Sequence, residues 1–386
     1  MRFLLLEPFY GGSHKAVADG IVGRTSHDMD LYALAARFWK WRMRGAGLEL
    51  ARRVKSFEGC DGIVCTSMLS LPDLLALVPG PRPPVAVYFH ENQLTYPLSP
   101  GEVLDYQYPL INLATGLAAD KVLFNSRTHM EGFLESLPEF IRVMPDYRPR
   151  WAIRNIAAKS SVLYPGCDFP AGDPRLAAWP DGPPLVVWNH RWEHDKNPQA
   201  FFDALFELAD RGVDFEVALL GERFPKAPPV FDVAKERLGG RIVCPGYVED
   251  RSGYEGWLAR GAVAVSTSNQ ENFGISAVEA VRRGCLPLFP NRLSYPEILP
   301  HRFHKEHLYD GQKDLVDKLA GLLAGYRDMT KRRLDLSRAM GRFSWDVMAP
   351  EWDAVLEGLA GRRKAPSSVP GDAATSGPGS RSPKEA

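Results

Sequence analysis

Short apolar runs alternate with longer helical patterns along most of this 386-residue chain, the rhythm of repeated strand–helix–strand units and hence of parallel sheets. In the first half, strands are expected at Arg2–Leu6, Asp28–Ala33, Gly62–Thr66, Val85–Phe89, Lys121–Phe124 and Ser161–Leu163. In the second half they are expected at Leu185–Trp188, Phe215–Leu220, Arg241–Cys244, Ala262–Ser266 and Leu286–Phe289. Helices fall between them, most clearly Pro198–Arg211, Gly274–Arg283 and Lys313–Tyr326. The expected fold class is α/β, with two doubly wound domains.

The boundaries follow from composition. Asp168–Pro184 holds five prolines in 17 residues, as an interdomain linker would. This divides the chain into a first domain over 1–167, the linker 168–184 and a second domain over 185–345. A C-terminal helix over 346–363 is expected to pack back toward the first domain. Between Lys364 and Ala386, 12 of 23 residues are Pro, Gly or Ser, the composition of a disordered tail.

Composition excludes several classes. No apolar run reaches the roughly 18–20 residues that a membrane-spanning helix needs, and the segment before Glu7 is too short for a signal-peptide core. Lys+Arg and Asp+Glu balance at 47 each, so contact with nucleic acid must rest on a local patch. The five cysteines include no C-x-x-C pair, which suits a reducing cytoplasm better than a disulfide scaffold or structural zinc.

In open α/β sheets ligands bind beyond the carboxyl ends of the strands. Here those ends run into EPFYGGSHK (Glu7–Lys15), HENQLTYP (His90–Pro97), Asn125-Ser126, NHRWEHDKNP (Asn189–Pro198) and TSNQENFG (Thr267–Gly274). The strongest signal is ENFGISAVEA, in which Glu271 and Glu279 stand eight apart around a helix start near Gly274. Unpaired N–H groups and the positive dipole end make such a start a seat for phosphate. Eight residues of helix span about 12 Å, comparable to the sugar-to-ribose distance of a sugar nucleotide. The plainer alternative is a helix with one Glu near its start and another two turns on. Arg191 and Lys196 can clamp a diphosphate, Arg as a planar fork and Lys as a point charge. Their plainer alternative is surface pairing with Glu193 and Asp195.

Arg191-x4-Lys196, Gly246-Tyr247-Val248 and Ser268-x2-Glu271-x-Phe273-Gly274-x4-Glu279-Ala280 together resemble the donor half of family-4 retaining glycosyltransferases. EPFYGGSHK, WKWRMRG (Trp39–Gly45), YFHENQLTYP and FNSRTH resemble, more specifically, the tRNA-queuosine α-mannosyltransferases. The likeness spans roughly residues 1–350. It implies the GT-B fold, two Rossmann-like domains facing a central cleft, and transfer of mannose from GDP-mannose to the cyclopentenediol of queuosine at a tRNA wobble position, tRNA-Asp being the expected one. Alternatives are another sugar nucleotide, a lipid or glycan acceptor, or a non-catalytic binding protein.

The roles implied by that resemblance are specific. Glu271 would hold the sugar hydroxyls and Glu279 the ribose. Arg191 and Lys196 would hold the diphosphate, with Asn189, Phe273, Gly274, Ile275 and Ser276 around the donor. Gly12 would admit the donor close to the backbone, and His90 would stand beside the transferred sugar. The catalytic set is then His90, Arg191, Lys196 and Glu271. The acceptor side would use His14, Lys40, Trp41, Arg42, Arg44, Asn92, Gln93 and Asn125. The partners are a sugar nucleotide and queuosine-containing tRNA, with no DNA and no membrane span.

Weaker signals remain. Asp28-Met29-Asp30 mimics a D-x-D metal motif, but it lies in an expected strand, and no metal or other cofactor is expected. His14, His190 and His194 lack a third ligand at helical spacing. Residues 37–55 carry seven basic residues against Glu49 alone, interleaved with Trp39 and Trp41. That mixture suits RNA phosphates and unpaired bases, or alternatively a solvated amphipathic helix. Arg142, Arg148, Arg150, Arg154 and Lys159, with Tyr147 and Trp151, are expected to extend the patch.

Overall fold

The strands form two separate all-parallel sheets, six strands in each. The structure is a computed structural model that describes residues 1–98, 101, 103–223 and 227–361; the expectation for residues 364–386 lies outside these. The first sheet contains β1 (Arg2–Tyr10), β2 (Asp28–Ala35), β3 (Gly62–Thr66), β4 (Val85–Phe89), β5 (Lys121–Phe124) and β6 (Ser160–Val162), in the order β2-β1-β3-β4-β5-β6. The second contains β7 (Leu185–Trp188), β8 (Glu216–Leu219), β9 (Ile242–Pro245), β10 (Val263–Val265), β11 (Leu286–Pro290) and β12 (Leu308–Tyr309), in the order β12-β11-β10-β7-β8-β9. In each sheet the strand order reverses beside the first strand, which opens a crevice there for ligands. Helices cover both faces of the first sheet, so β3 and β4 are buried along their whole length.

β12 has two residues and was not expected; so short an apolar pair gives no periodic signal. β1 differs more usefully. A charged residue at Glu7 suggested that the strand stops at Leu6, yet it continues to Tyr10 with a register shift between Glu7 and Tyr10. Glu7 is fully buried because its Oε1 accepts from the Phe9 amide (2.8 Å) and from Thr66 (3.2 Å). Bonding of this kind is what makes a buried carboxylate tolerable.

The Pro-rich segment is docked rather than free. Arg282 and Arg333 donate to its carbonyls at Pro170, Gly172 and Ala177, and Trp179 donates to Gly261 O. It lies as a strap on the second domain. The chain then crosses between domains a second time. Cys167 N donates to Phe343 O (2.7 Å) and Trp345 N to Cys167 O (3.1 Å), so the two crossings run side by side.

After the second crossing, the helix Trp345–Ala360 lies on the first domain. Trp345, Met348, Trp352, Leu356 and Leu359 share a core with Phe3, Leu5, Val17, Ile21, Val64 and Leu123. A methyl group at Gly20 or Gly166 would come within 1.9 or 2.2 Å of the Trp345 ring, so both positions require glycine. Trp352→Ala is expected to lower unfolding free energy by roughly 3–5 kcal/mol, read from urea melts; a loss below about 1 kcal/mol would show that the helix is peripheral to the fold.

Candidate active site

On the second domain, the residues after β7 and β10 build the floor of the cleft. His194–Lys196 form one helical turn, and Asn197, at φ 47°, caps the helix Pro198–Asp210 by accepting from Ala200 N. Thr267 donates to the carbonyls of Lys196 and Asn197, and Asn269 N donates to Asp195 O. The loop carrying Lys196 is therefore pinned to the loop carrying Glu271. Lys196 is buried; its Nζ lies 2.7 Å from Gln270 O, 3.3 Å from Asp195 and 3.5 Å from Glu271.

Gly274, at φ 93°, turns the chain into the helix Ile275–Arg283. A methyl there would meet Glu271 Cγ at 3.3 Å, and the left-handed conformation favours glycine in any case. Further along that helix, Glu279 accepts from Arg251 (2.7 Å) and Tyr254 (3.2 Å). Asn189 donates to Tyr254 and to Ser276 O. Lys196, Glu271, Ser276, Asn189 and Glu279 thus form one connected surface.

The wall on the first domain is a chain of charges. His14 Nδ1 faces Glu7 at 3.2 Å and its Nε2 faces Glu91 at 3.0 Å. Burial opposes charge on His14, but Glu91 and Glu7 together raise it to about 10. His90 stacks on His14, ring centroids 4.0 Å apart, with Nε2 at 3.9 Å from Glu7. Burial, and then the charge on His14, push His90 well below its usual range, so it is neutral. Glu7, His14 and His90 offer three metal-ligand atoms within 4.8 Å of one another. Both nitrogens of His14, however, donate to carboxylates, which leaves no lone pair for an ion.

The two surfaces meet. Asn272 donates to His90 O at 3.0 Å across the cleft. Glu297 accepts from the amides of Arg127 (2.8 Å) and Thr128 (3.1 Å), capping the helix Arg127–Arg142, and from Tyr164 (2.7 Å). Burial favours the protonated form of Glu91, but His14 outweighs it, and Arg191, half exposed and 3.1 Å from Glu193, adds to the lowering of the Glu91 pKa.

Several expected residues serve differently. Phe273 is buried against Tyr164 and Phe343 at the crossing, so its ring packs the hinge instead of lining the donor surface. Ile275 is partly buried and packs beside that cluster. At Gly12, φ is 52° and an added methyl would meet no protein atom. Asn92 is buried in its own turn, accepting from Leu94 and Thr95, while Gln93 donates its amide to Asn112. Asn125 donates to His90 O (2.9 Å) and acts from behind.

Trp41 is 64% exposed and Tyr147 92%, with Phe38, Tyr106 and Trp151 also exposed. Lys40 lies over Trp39, Arg44 over Tyr108, and Arg42 holds Ala35 O. Lys159 instead donates to the Leu117 and Ala119 carbonyls, and Asp30 pairs with Arg2. The sequence reading missed Glu7, Glu91, Arg251, Tyr254 and Asn272. The available signals were a Glu directly after the apolar run Phe3–Leu6 and a Glu next to His90.

The sequence profile described as tRNA-queuosine alpha-mannosyltransferase N-terminal matches residues 2–167, and that of glycosyl transferases group 1 matches 174–339. A Drosophila melanogaster protein, named tRNA-queuosine alpha-mannosyltransferase, is 36% identical over 371 residues, 91% of this chain and 95% of its own. A Mycobacterium tuberculosis GDP-mannose-dependent alpha-(1-6)-phosphatidylinositol dimannoside mannosyltransferase is 29% identical over 46% of this chain and 44% of its own. In fold, the chain matches sucrose-phosphate synthase from Thermosynechococcus elongatus with a TM-score of 0.73 at 15% identity, over 93% of this chain and 99% of that one. A Rickettsia africae glycosyltransferase matches at TM-score 0.65 and 15% identity, over 93% and 98%.

His14 gains its proton affinity only in the folded protein, where it rises from an ordinary value near 6.5 to about 10. Its contribution to stability is therefore complete below pH of about 6.5 and is lost as pH climbs through about 10. Unfolding free energy of the wild type is expected to fall more steeply between pH 7 and 10 than that of His14→Gln. Equal slopes would show that His14 is not the charged bridge.

Proposed function

Because the chain belongs to the tRNA-queuosine alpha-mannosyltransferase family, we propose that it moves mannose from GDP-mannose to the cyclopentenediol of queuosine at the wobble position of tRNA-Asp, with retained anomeric configuration. The observation that carries this is the buried Lys196 ammonium, 3.5 Å from Glu271 beside a helix start whose amides lack intrahelical partners. A diphosphate at that start meets backbone donors, the Lys196 charge and the Arg191 fork. The "GDP-mannose-dependent" in the mycobacterial relative's name supports the choice of donor.

As the sugar–phosphate bond breaks, negative charge grows on the leaving diphosphate. Lys196 and Arg191 stabilise it in place, without reorganisation. Glu271 accepts from sugar hydroxyls. Glu279 has carboxylate lone pairs to share with a ribose beside Arg251 and Tyr254. His90, neutral and fixed by stacking on His14, can donate to or accept from a hydroxyl of the sugar. The leaving phosphate takes the acceptor's proton, so no enzymic nucleophile enters.

The acceptor docks on the first domain. The helix Trp39–Val54 begins with exposed Trp41 among Lys40, Arg42 and Arg44, and the exposed Tyr106, Tyr147 and Trp151 continue the surface. Aromatic faces stack unpaired bases while the guanidinium groups take phosphates.

The direct test incubates the protein with queuosine-containing and queuosine-free tRNA and several sugar nucleotides, then weighs the released nucleosides. A hexose is expected on queuosine alone, from GDP-mannose; a hexose appearing in a lipid fraction instead would overturn the acceptor. Lys196→Ala is expected to lower turnover on the order of 10²-fold while tRNA affinity stays unchanged in filter binding. Replacing Arg42 and Arg44 with Ala should flatten the salt dependence of tRNA binding by about 1.4–1.8 in log–log slope, two phosphates' worth; an unaltered slope would place the RNA elsewhere.

A further inference from the structure

Asn272 fills the variable place between Glu271 and Phe273, and none of the roles above uses its side chain. Its two amide atoms are both committed. Oδ1 accepts from Gln270 Nε2 at 2.9 Å, and Nδ2 donates to His90 O at 3.0 Å on the other domain. A flipped amide would set oxygen against a carbonyl and nitrogen against a donor, so this orientation is the one the network permits.

The carbonyl it reaches is gripped from both sides. Asn125 Nδ2 donates to the same His90 oxygen at 2.9 Å, and Asn125 Oδ1 is held by His129 Nδ1 at 2.7 Å. One amide from each domain therefore takes one lone pair of His90 O. On the donor side, Gln270 O receives Lys196 Nζ at 2.7 Å, so the segment that positions Asn272 also holds the proposed phosphate-binding charge. Three successive side chains then face three directions: Glu271 toward Lys196, Asn272 toward the first domain, and Phe273 into the hinge with Tyr164 and Phe343.

We propose that Asn272 is a cross-cleft positioning residue: it ties the loop that seats the diphosphate sugar to the loop that carries His90, so that the donor and His90 are brought into register together. Glu297 supplies a second tether on the other flank, where it caps the helix Arg127–Arg142. With both tethers made, the two sheets stand at one spacing around the donor. The proposal rests on the glycosyl-transfer reading above.

Asn272→Ala is expected to lower kcat by about 10–100-fold, the scale of a small misplacement of reacting groups, with the KM for GDP-mannose within about twofold of wild type. Hydrogen–deuterium exchange in the ligand-free variant should rise over residues 88–96 and stay as in wild type over β1 and β3. Asn272→Asp keeps the shape but turns an acceptor toward the carbonyl, so it should be impaired at least as much; it decides by the same readouts if the Ala variant does not fold. Unchanged kcat, or exchange over residues 88–96 equal to wild type in either variant, overturns the proposal. The exchange measurement needs no substrate. A wild type inactive with GDP-mannose would sink the glycosyl-transfer reading, while exchange alone would still decide on Asn272.

Discussion

The spacing of the two sheets depends on a place where the chain passes twice. Cys167 and Ser344 lie side by side, bonded through Phe343 O and Trp345 N, and the Trp345 ring fills a notch that only glycines at 20 and 166 leave open. Packing of that density resists small displacements, so the crossing is a defined pivot instead of a loose tether. Every feature of the cleft inherits its geometry from it. The hinge trio Tyr164, Phe273 and Phe343 sits beside the pivot, and Phe273 immediately precedes the helix start proposed for the phosphate.

The two walls carry opposite electrostatic tasks. In the reading proposed above, Lys196 and Arg191 on the second domain face the place where a leaving group would gain negative charge. On the first, burial keeps His90 neutral, and a protonated His14 between Glu7 and Glu91 adds to this, because a second imidazolium against a stacked first one is disfavoured. A neutral imidazole both donates and accepts. Beside the sugar, as proposed above, it would bind a hydroxyl without adding positive charge near an anomeric centre that is itself becoming positive.

How much of this was legible in the sequence follows from the range of each interaction. Strands such as Gly62–Thr66, Val85–Phe89 and Leu185–Trp188 are local events, apolar runs bounded by turns, and the structure has them at those bounds. The E-x7-E spacing around Gly274 is local too, and Glu271 and Glu279 flank the start and run of one helix as that spacing implies. The partners of Glu7, Glu91 and Asn272 were not legible, for the converse reason. Glu7 looks like a strand terminator until the side chains of Thr66 and His14 arrive from 59 and seven residues away. Asn272 acquires a partner only when His90 comes from 182 residues off. Phe273 misled through its neighbours, since a motif shows which residues lie together but not which way each side chain turns.

The plain alternatives for Arg191 and Lys196 were pairing with Glu193 and Asp195, and the structure contains both pairs, at 3.1 and 3.3 Å. They do not compete with the functional reading. A buried ammonium with no counter-charge would be expelled or deprotonated, so Lys196 can wait inside the protein only if carboxylates share its charge. Asp195 is nearly inaccessible, and one of its oxygens has no hydrogen-bond partner among the described residues. Lys196 is thus held by two carboxylates and by the Gln270 carbonyl. In the reading proposed above, the pairs that hold Lys196 in the ligand-free cleft also keep its charge beside the helix start where a diphosphate would sit.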